Sequence, residues 1–300
     1  MDPAQPLKEF KPEKAFFIGI DSDGCAFDTM GIKQRECFAP WMIGYFGLQP
    51  VADAARECKE FADLFSKTRG ANRHKTIHRI LTELLPGHPK VKHLNWPVPR
   101  FEHYFAWVEN PESLMSNDGL AAAIDAASDE AAKKELQYVL DWSERANWAI
   151  QEIVKDIPPF PFVRESLKKA VASADVIVIS ATPGEALQRE WKEHGIAEYV
   201  KIIAGQEMGT KTQHLKWSAR DNYPSDHVLM MGDAPGDRKA AKANGALFYP
   251  INPGKEEASW KRFHDEALDK FLNGQYAGAY EADLIASFEA LLPENPPWAA

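Results

Sequence analysis

Five short apolar runs punctuate the chain: Ala15–Ile20, Val176–Ser180, Val200–Ala204, Val228–Met231 and Ala246–Tyr249. Each is rich in β-branched or aromatic residues and stops at Gly, Asp, Ser or Pro. Nearly unbroken apolar runs of this length predict strands buried on both faces, as in a parallel sheet. The last four alternate with helical stretches at Pro183–His194, Thr210–Ala219 and Gly236–Asn244. That alternation predicts a doubly wound α/β sheet.

The first run stands apart from the others. Between Asp28 and about Pro158 only helical patterns occur. Val51, Ala54, Cys58, Phe61 and Phe65 recur on one helical face. Further helices are predicted near Gln34–Phe46, His74–Leu85, Phe101–Val108 and Glu130–Val154. The stretch reads as a helical insertion just after strand one, hinged at Asp28-Thr29 and at the proline-rich turn Ile157–Pro161. After Pro250, helices are expected to continue to Leu292 and to pack on the core or form a subunit contact. The polar end PENPPWAA is expected to fray.

Composition narrows the class. At 300 residues, 45% hydrophobic and 26% charged, the chain is folded and globular, with room for two domains or one domain and a large insertion. A net charge of −9 argues against a general nucleic-acid binder. It still permits a local cationic site for a small phosphorylated ligand. Three cysteines without paired spacing argue against a disulfide framework and a zinc site. The polar start has no apolar stretch of the secretory kind, and no run approaches the ~20 residues of a membrane span. A cytoplasmic protein, monomer or homodimer, without membrane contact is therefore expected. Nine tryptophans are expected in core and interface packing, the insertion's Trp41, Trp107, Trp142 and Trp148 among them.

Candidate chemistry sits at the ends of the strands. Strand one runs into Asp21-Ser22-Asp23-Gly24, where α/β sheets place ligands. A second strand ends in Ser180-Ala181-Thr182-Pro183, and a third in Gly232-Asp233-Ala234-Pro235-Gly236-Asp237. Lys211 stands at a predicted helix start between them. Carboxylates gathered at one edge repel one another unless a cation joins them, and hard oxygen donors suit Mg²⁺. A hydroxyl and an ammonium can bind phosphoryl oxygens, where charge gathers in a transition state. One carboxylate can attack phosphorus while another serves as general acid and base. Thr182 before Pro183 reads as a helix N-cap, and Glu207 as a solvated loop residue.

In order and spacing, Phe16–Gly24, Val176–Gly184, Lys211 and Val228–Asp237 resemble the four motifs of the haloacid dehalogenase (HAD) superfamily of phosphohydrolases. The resemblance implies a Rossmann-like parallel-sheet core over 1–28 and 157–250. It further implies a helical cap of the C1 type over 29–156, with a helical C-terminal extension over 251–300. Asp21 would be the nucleophile. Asp23 would be the general acid and base and would also bind the metal through its backbone carbonyl. Ser180 and Lys211 would hold the phosphoryl group, and Asp233 would ligate Mg²⁺. Asp237 would support a water ligand or Lys211. The loop Arg69–Ile77 resembles the cap loop of β-phosphoglucomutase-like members, with Arg73 facing substrate and Gly24 and Ala181 as further substrate-binding positions. Arg69, His74 and Lys75 read equally as charged surface or as a specificity patch.

The function implied is a Mg²⁺-dependent phosphatase acting on a small phosphorylated metabolite through an aspartyl phosphate. Asp23 favours phosphate esters over C–halogen or C–P bonds. The alternatives are a phosphomutase, against which Lys33 stands where mutases have histidine, and a C–P hydrolase using Lys67 or Lys75 as a Schiff base. A catalytically idle binding protein is the last. Cys25, after the motif glycine, is expected to alter packing, with oxidation sensitivity if its thiol is exposed.

Overall fold

A computed structural model describes residues 2–299. It divides into two compact units, residues 2–30 with 156–292, and residues 31–155 with 293–299.

In the first unit the apolar runs form strands β1 (Phe16–Ile20), β2 (Ala174–Ile179), β3 (Ile202–Ala204), β4 (Val228–Gly232) and β5 (Leu247–Pro250). They make one sheet in the order β3-β2-β1-β4-β5, with every pair parallel. Alternate residues feed opposite faces. Ile18, Ile20, Val176, Val178, Leu229 and Met231 enter one apolar cluster, whereas Phe17, Ile177, Ile179, Val228 and Met230 enter another. Burial on both faces explains the unbroken apolar runs.

The C-terminal segment completes this unit. Helices Glu256–Arg262 and Leu268–Leu272 add Trp260, Leu268 and Phe271 to the first cluster, and Phe263 joins them from the π-helical stretch Phe263–Ala267 between. β5 is an edge strand with backbone groups to satisfy. The Phe248 amide donates to the Glu281 carboxylate (2.8 Å), and the Tyr276 hydroxyl donates to the Phe248 carbonyl (2.8 Å). The extension therefore packs on the sheet and closes its edge.

The second unit is helical. Its main helices are Ala52–Leu64, Glu102–Glu109, Asn117–Ala126 and Glu130–Ile153. The sequence pattern did not point to Asn117–Ala126, whose small side chains leave a weak apolar stripe. The end expected to fray belongs here. Trp298 packs edge-on against Phe61 and beside His88, and the Lys67 amide donates to the Pro293 carbonyl. An apolar indole and satisfied backbone hold this segment in place. Trp142 and Trp107 lie in the core as expected, but Trp148 is exposed.

His74 is a core residue, not charged surface. Its Nδ1 lies 3.1 Å from the Tyr104 hydroxyl, among the rings of Tyr104, Trp107 and Trp142. Burial, with the Arg73 charge beside it, pushes this imidazole down to about 3, from 6.5. In the core unit, burial and the nearby Lys211 likewise push His214 down to about 4. Between these values and 6.5 the unfolded chain binds more protons than the folded one. The stabilisation is thus complete above about pH 6.5 and declines as pH falls, by up to ~1.4 kcal/mol per unit for each group. The midpoint of thermal unfolding should drop between pH 7 and 4.5, and His74→Gln should flatten part of that slope. An identical slope in the variant would show that His74 does not contribute.

Arg73 is engaged inside the helical unit. Its guanidinium lies over the Phe38 ring and donates through Nη1 to Ser143 Oγ (3.0 Å) and Asn147 Oδ1 (2.7 Å). The arginine expected to face substrate thus has bracing partners on the long Glu130–Ile153 helix. Arg69 is buried and donates to the Leu64 carbonyl (2.8 Å). Lys67 is exposed and paired with Glu294. That is not the desolvated setting that makes a lysine a Schiff-base nucleophile.

Candidate active site

The sheet order brings the chemistry together. β1 lies between β2 and β4, with Ile20 in register with Val178 and Met231. Asp21 follows β1, Ser180 follows β2, and Asp233 follows β4, so all three emerge at the same edge. The Asp21 amide donates to the Met231 carbonyl (3.0 Å), extending the ladder one residue past the strand.

Lys211 opens the helix Lys211–Leu215, whose start is fixed by a capping box between Thr210 and Gln213. Its ammonium lies 2.6 Å from Asp21 Oδ2 and 2.6 Å from Asp237 Oδ1. Asp237 sits in the first turn of Pro235–Ala243, where its other oxygen accepts the Ala234 amide (3.1 Å). Gly232 makes room for it, since a Cβ there would meet the Asp237 carboxylate at 2.3 Å.

Asp21, Asp233 and Asp237 are all buried, each offering an oxygen within 4.8 Å of the others. Burial first, then Asp237 and Asp233, drive the Asp21 carboxyl well above its ordinary range against the pull of Lys211. Burial would lower Lys211, but Asp21 and Asp237 together carry it above its usual value, so it stays a cation. Three carboxylates are thus brought together in a buried place beside the Lys211 ammonium. Clustered carboxylate oxygens form the donor set that a hard divalent cation takes. The residues therefore fit such an ion.

Ser180 is buried, and its hydroxyl oxygen accepts the Thr182 amide (3.2 Å), leaving its proton to be donated. Ala181 lies exposed beside it. Gly24 adopts φ 77° and spends its amide on the Phe27 carbonyl (2.8 Å). It closes the loop after Asp23, so its amide is not available to a substrate in this structure.

Thr182 corrects the N-cap expectation. Pro183 takes the cap position of Gly184–Glu193, and the Gly184 amide goes to the Glu207 carboxylate (3.0 Å). The Thr182 hydroxyl instead donates to Asp23 Oδ2 (2.8 Å), while the Thr29 hydroxyl donates to Asp23 Oδ1. Sequence reasoning missed these two hydroxyl donors to Asp23, because the contacts span 159 and 6 positions and follow no local pattern. The Cys25 thiol is fully buried beside the cluster, which removes the exposure that oxidation requires.

No family model and no curated protein matches the sequence. Among solved structures, the chain is similar to a hydrolase of the haloacid dehalogenase-like family from Streptococcus pneumoniae. The two share 13% identity over 84% of this chain and 91% of that one, with a TM-score of 0.40. A putative phosphoglycolate phosphatase from Lactobacillus delbrueckii subsp. bulgaricus shares 13% identity over 84% and 92% of the two chains, with a TM-score of 0.43. A putative β-phosphoglucomutase from Bacteroides vulgatus shares 11% over 88% and 92%, with a TM-score of 0.45. Among the described residues no helix is long and apolar enough to cross a membrane.

Proposed function

We propose that the protein is a Mg²⁺-dependent phosphatase of the HAD type that hydrolyses a small phosphorylated metabolite. The observation that carries this reading is one ammonium, Lys211, bound to both Asp21 and Asp237 within a buried carboxylate cluster at the end of a parallel sheet. Asp21 and Asp233, with the Asp23 carbonyl, would hold the cation. When bound, it supplies the positive charge that offsets repulsion between a carboxylate nucleophile and an anionic phosphate.

Asp21 attacks phosphorus, and the P–O bond to the leaving group breaks. Asp23 protonates the departing oxygen, leaving an aspartyl phosphate. Asp23 then takes a proton from water, which attacks phosphorus and releases phosphate and free Asp21. Ser180 donates to a phosphoryl oxygen, and Lys211 opposes the charge that gathers there. Loss of p-nitrophenyl phosphate hydrolysis on chelation, with recovery on adding Mg²⁺, is the expected result. No hydrolysis across a panel of sugar, glycolyl and nucleoside phosphates would overturn the reading. Transfer of phosphate within a sugar phosphate, with slow loss to water, would favour a phosphomutase.

The Thr182 contact makes a separate prediction. Thr182→Val keeps the shape and removes the hydroxyl that holds Asp23. kcat should fall about 10-fold, the kinetic equivalent of one hydrogen bond to a charged group of ~1.5 kcal/mol, with KM little changed. An unchanged kcat would remove Thr182 from the mechanism.

A further inference from the structure

We infer that two buried indoles, Trp191 and Trp260, position the loop that carries Asp23, and that the C-terminal extension thereby takes part in the reaction proposed above. The inference rests on that reading for its kinetic consequence, although the clamp itself is independent of it.

The loop Asp21–Thr29 is a tight turn that leaves the end of β1. The Ser22 carbonyl accepts the amides of Cys25 (3.2 Å), Ala26 (2.9 Å) and Phe27 (3.1 Å), and Gly24 takes the left-handed conformation. These bonds fold the loop on itself, while the Asp21 amide on the Met231 carbonyl, the Thr182 hydroxyl on Asp23 and the Phe160 amide on the Ala26 carbonyl (2.9 Å) tie it to its surroundings. Two tryptophans add buried anchors between those ties. Trp191, on Gly184–Glu193, donates its indole N–H to Ser22 Oγ (3.0 Å). Trp260, on Glu256–Arg262, donates its indole N–H to the Cys25 carbonyl (2.7 Å). Both side chains are fully buried. Asp23 is thus bracketed, one residue after the first anchor and two before the second.

Trp260 is itself held. The Tyr249 hydroxyl donates to the Ser259 carbonyl (2.6 Å), and the Asn252 amide donates to Ser259 Oγ (3.0 Å). The helix is therefore tied to the end of β5, and through the sheet to β4, which leads to Asp233. A rigid path joins the metal-side carboxylate to the loop that bears the acid. A buried indole is a donor only, and Trp191 and Trp260 each find their acceptor on this loop.

Trp260→Phe removes the donor and keeps an aromatic ring. Hydrogen exchange of the loop amides 24–29 should accelerate, while exchange in β1 and β2 stays as in the wild type. kcat should fall about 10- to 100-fold with KM within a factor of two, as expected when a reacting group is misplaced by a fraction of an ångström to one ångström. Ser22→Ala, which leaves the core volume intact, and Trp191→Phe should each produce a smaller loss. Combined, they should cost no more than one alone, because both break the same bond. Loop exchange unchanged in a folded Trp260→Phe protein would overturn the clamp. Faster loop exchange with unchanged kcat would overturn its role in positioning. If the wild type hydrolyses no phosphate ester, the functional reading fails, and the exchange data alone decide the clamp. Should Trp260→Phe not fold, the Ser22→Ala and Trp191→Phe cycle decides the matter by the same readouts, additive losses counting against the clamp.

Discussion

Asp21→Asn should abolish phosphate-ester hydrolysis, by about 10⁴-fold or more, and at the same time leave the metal-free protein as stable as before or more so. The first effect is chemical: an amide cannot form the phosphoenzyme, and loss of a nucleophile removes nearly all chemical rate enhancement. The second is electrostatic. Burial and the neighbouring Asp237 and Asp233 hold the Asp21 carboxyl far above its ordinary range. At neutral pH its ionised form therefore costs folding free energy, which a neutral isostere does not. A folding defect would lower both activity and stability, so the opposite signs identify a functional carboxylate. Steady-state rates, acid-quench detection of phosphoenzyme and urea unfolding in chelator measure both. Retained turnover or trapped phosphoenzyme in the variant would exclude Asp21 as the nucleophile.

Lys211→Met should fail in the other direction. The ammonium lies 2.6 Å from Asp21 and from Asp237, with both carboxylates buried. Removing one partner of a buried ion pair leaves charge uncompensated, at a cost of about 3–5 kcal/mol. Unfolding in chelator should therefore shift to lower urea. Millimolar Mg²⁺ should restore part of the loss, and restore more than it adds to the wild type, since the cation is then the remaining counter-charge. kcat should drop about 10²- to 10³-fold even with Mg²⁺ present, as when an oriented donor to developing charge is deleted. A variant as stable as the wild type in chelator would show that Lys211 does not balance the cluster.

The strands were legible because most are buried on both faces and so read as nearly unbroken apolar runs, with the edge strand β3 the least buried. Asp21, Asp23, Ser180, Lys211, Asp233 and Asp237 were legible because each stands at a fixed offset from a strand or helix end. The helical unit was legible as helices, but not in the side-chain assignments within it. His74 and Arg69 carry polar names and lie in the interior, satisfied by Tyr104 and by the Leu64 carbonyl. The closing Trp298 packs where a polar, proline-rich tail gave no sign of order.

Local pattern thus determined the elements, their parallel arrangement and the polar residues that gather at one sheet edge, since these depend on periodicity and on the residue types just past each strand end. Tertiary structure decided what holds those residues in place. The Thr182 bond to Asp23, the indoles of Trp191 and Trp260 on the loop between, and the Glu281 and Tyr276 bonds that close the β5 edge join residues 28 to 235 positions apart. A hydrogen bond requires proximity of two atoms, not of two positions, and only the folded sheet supplies it.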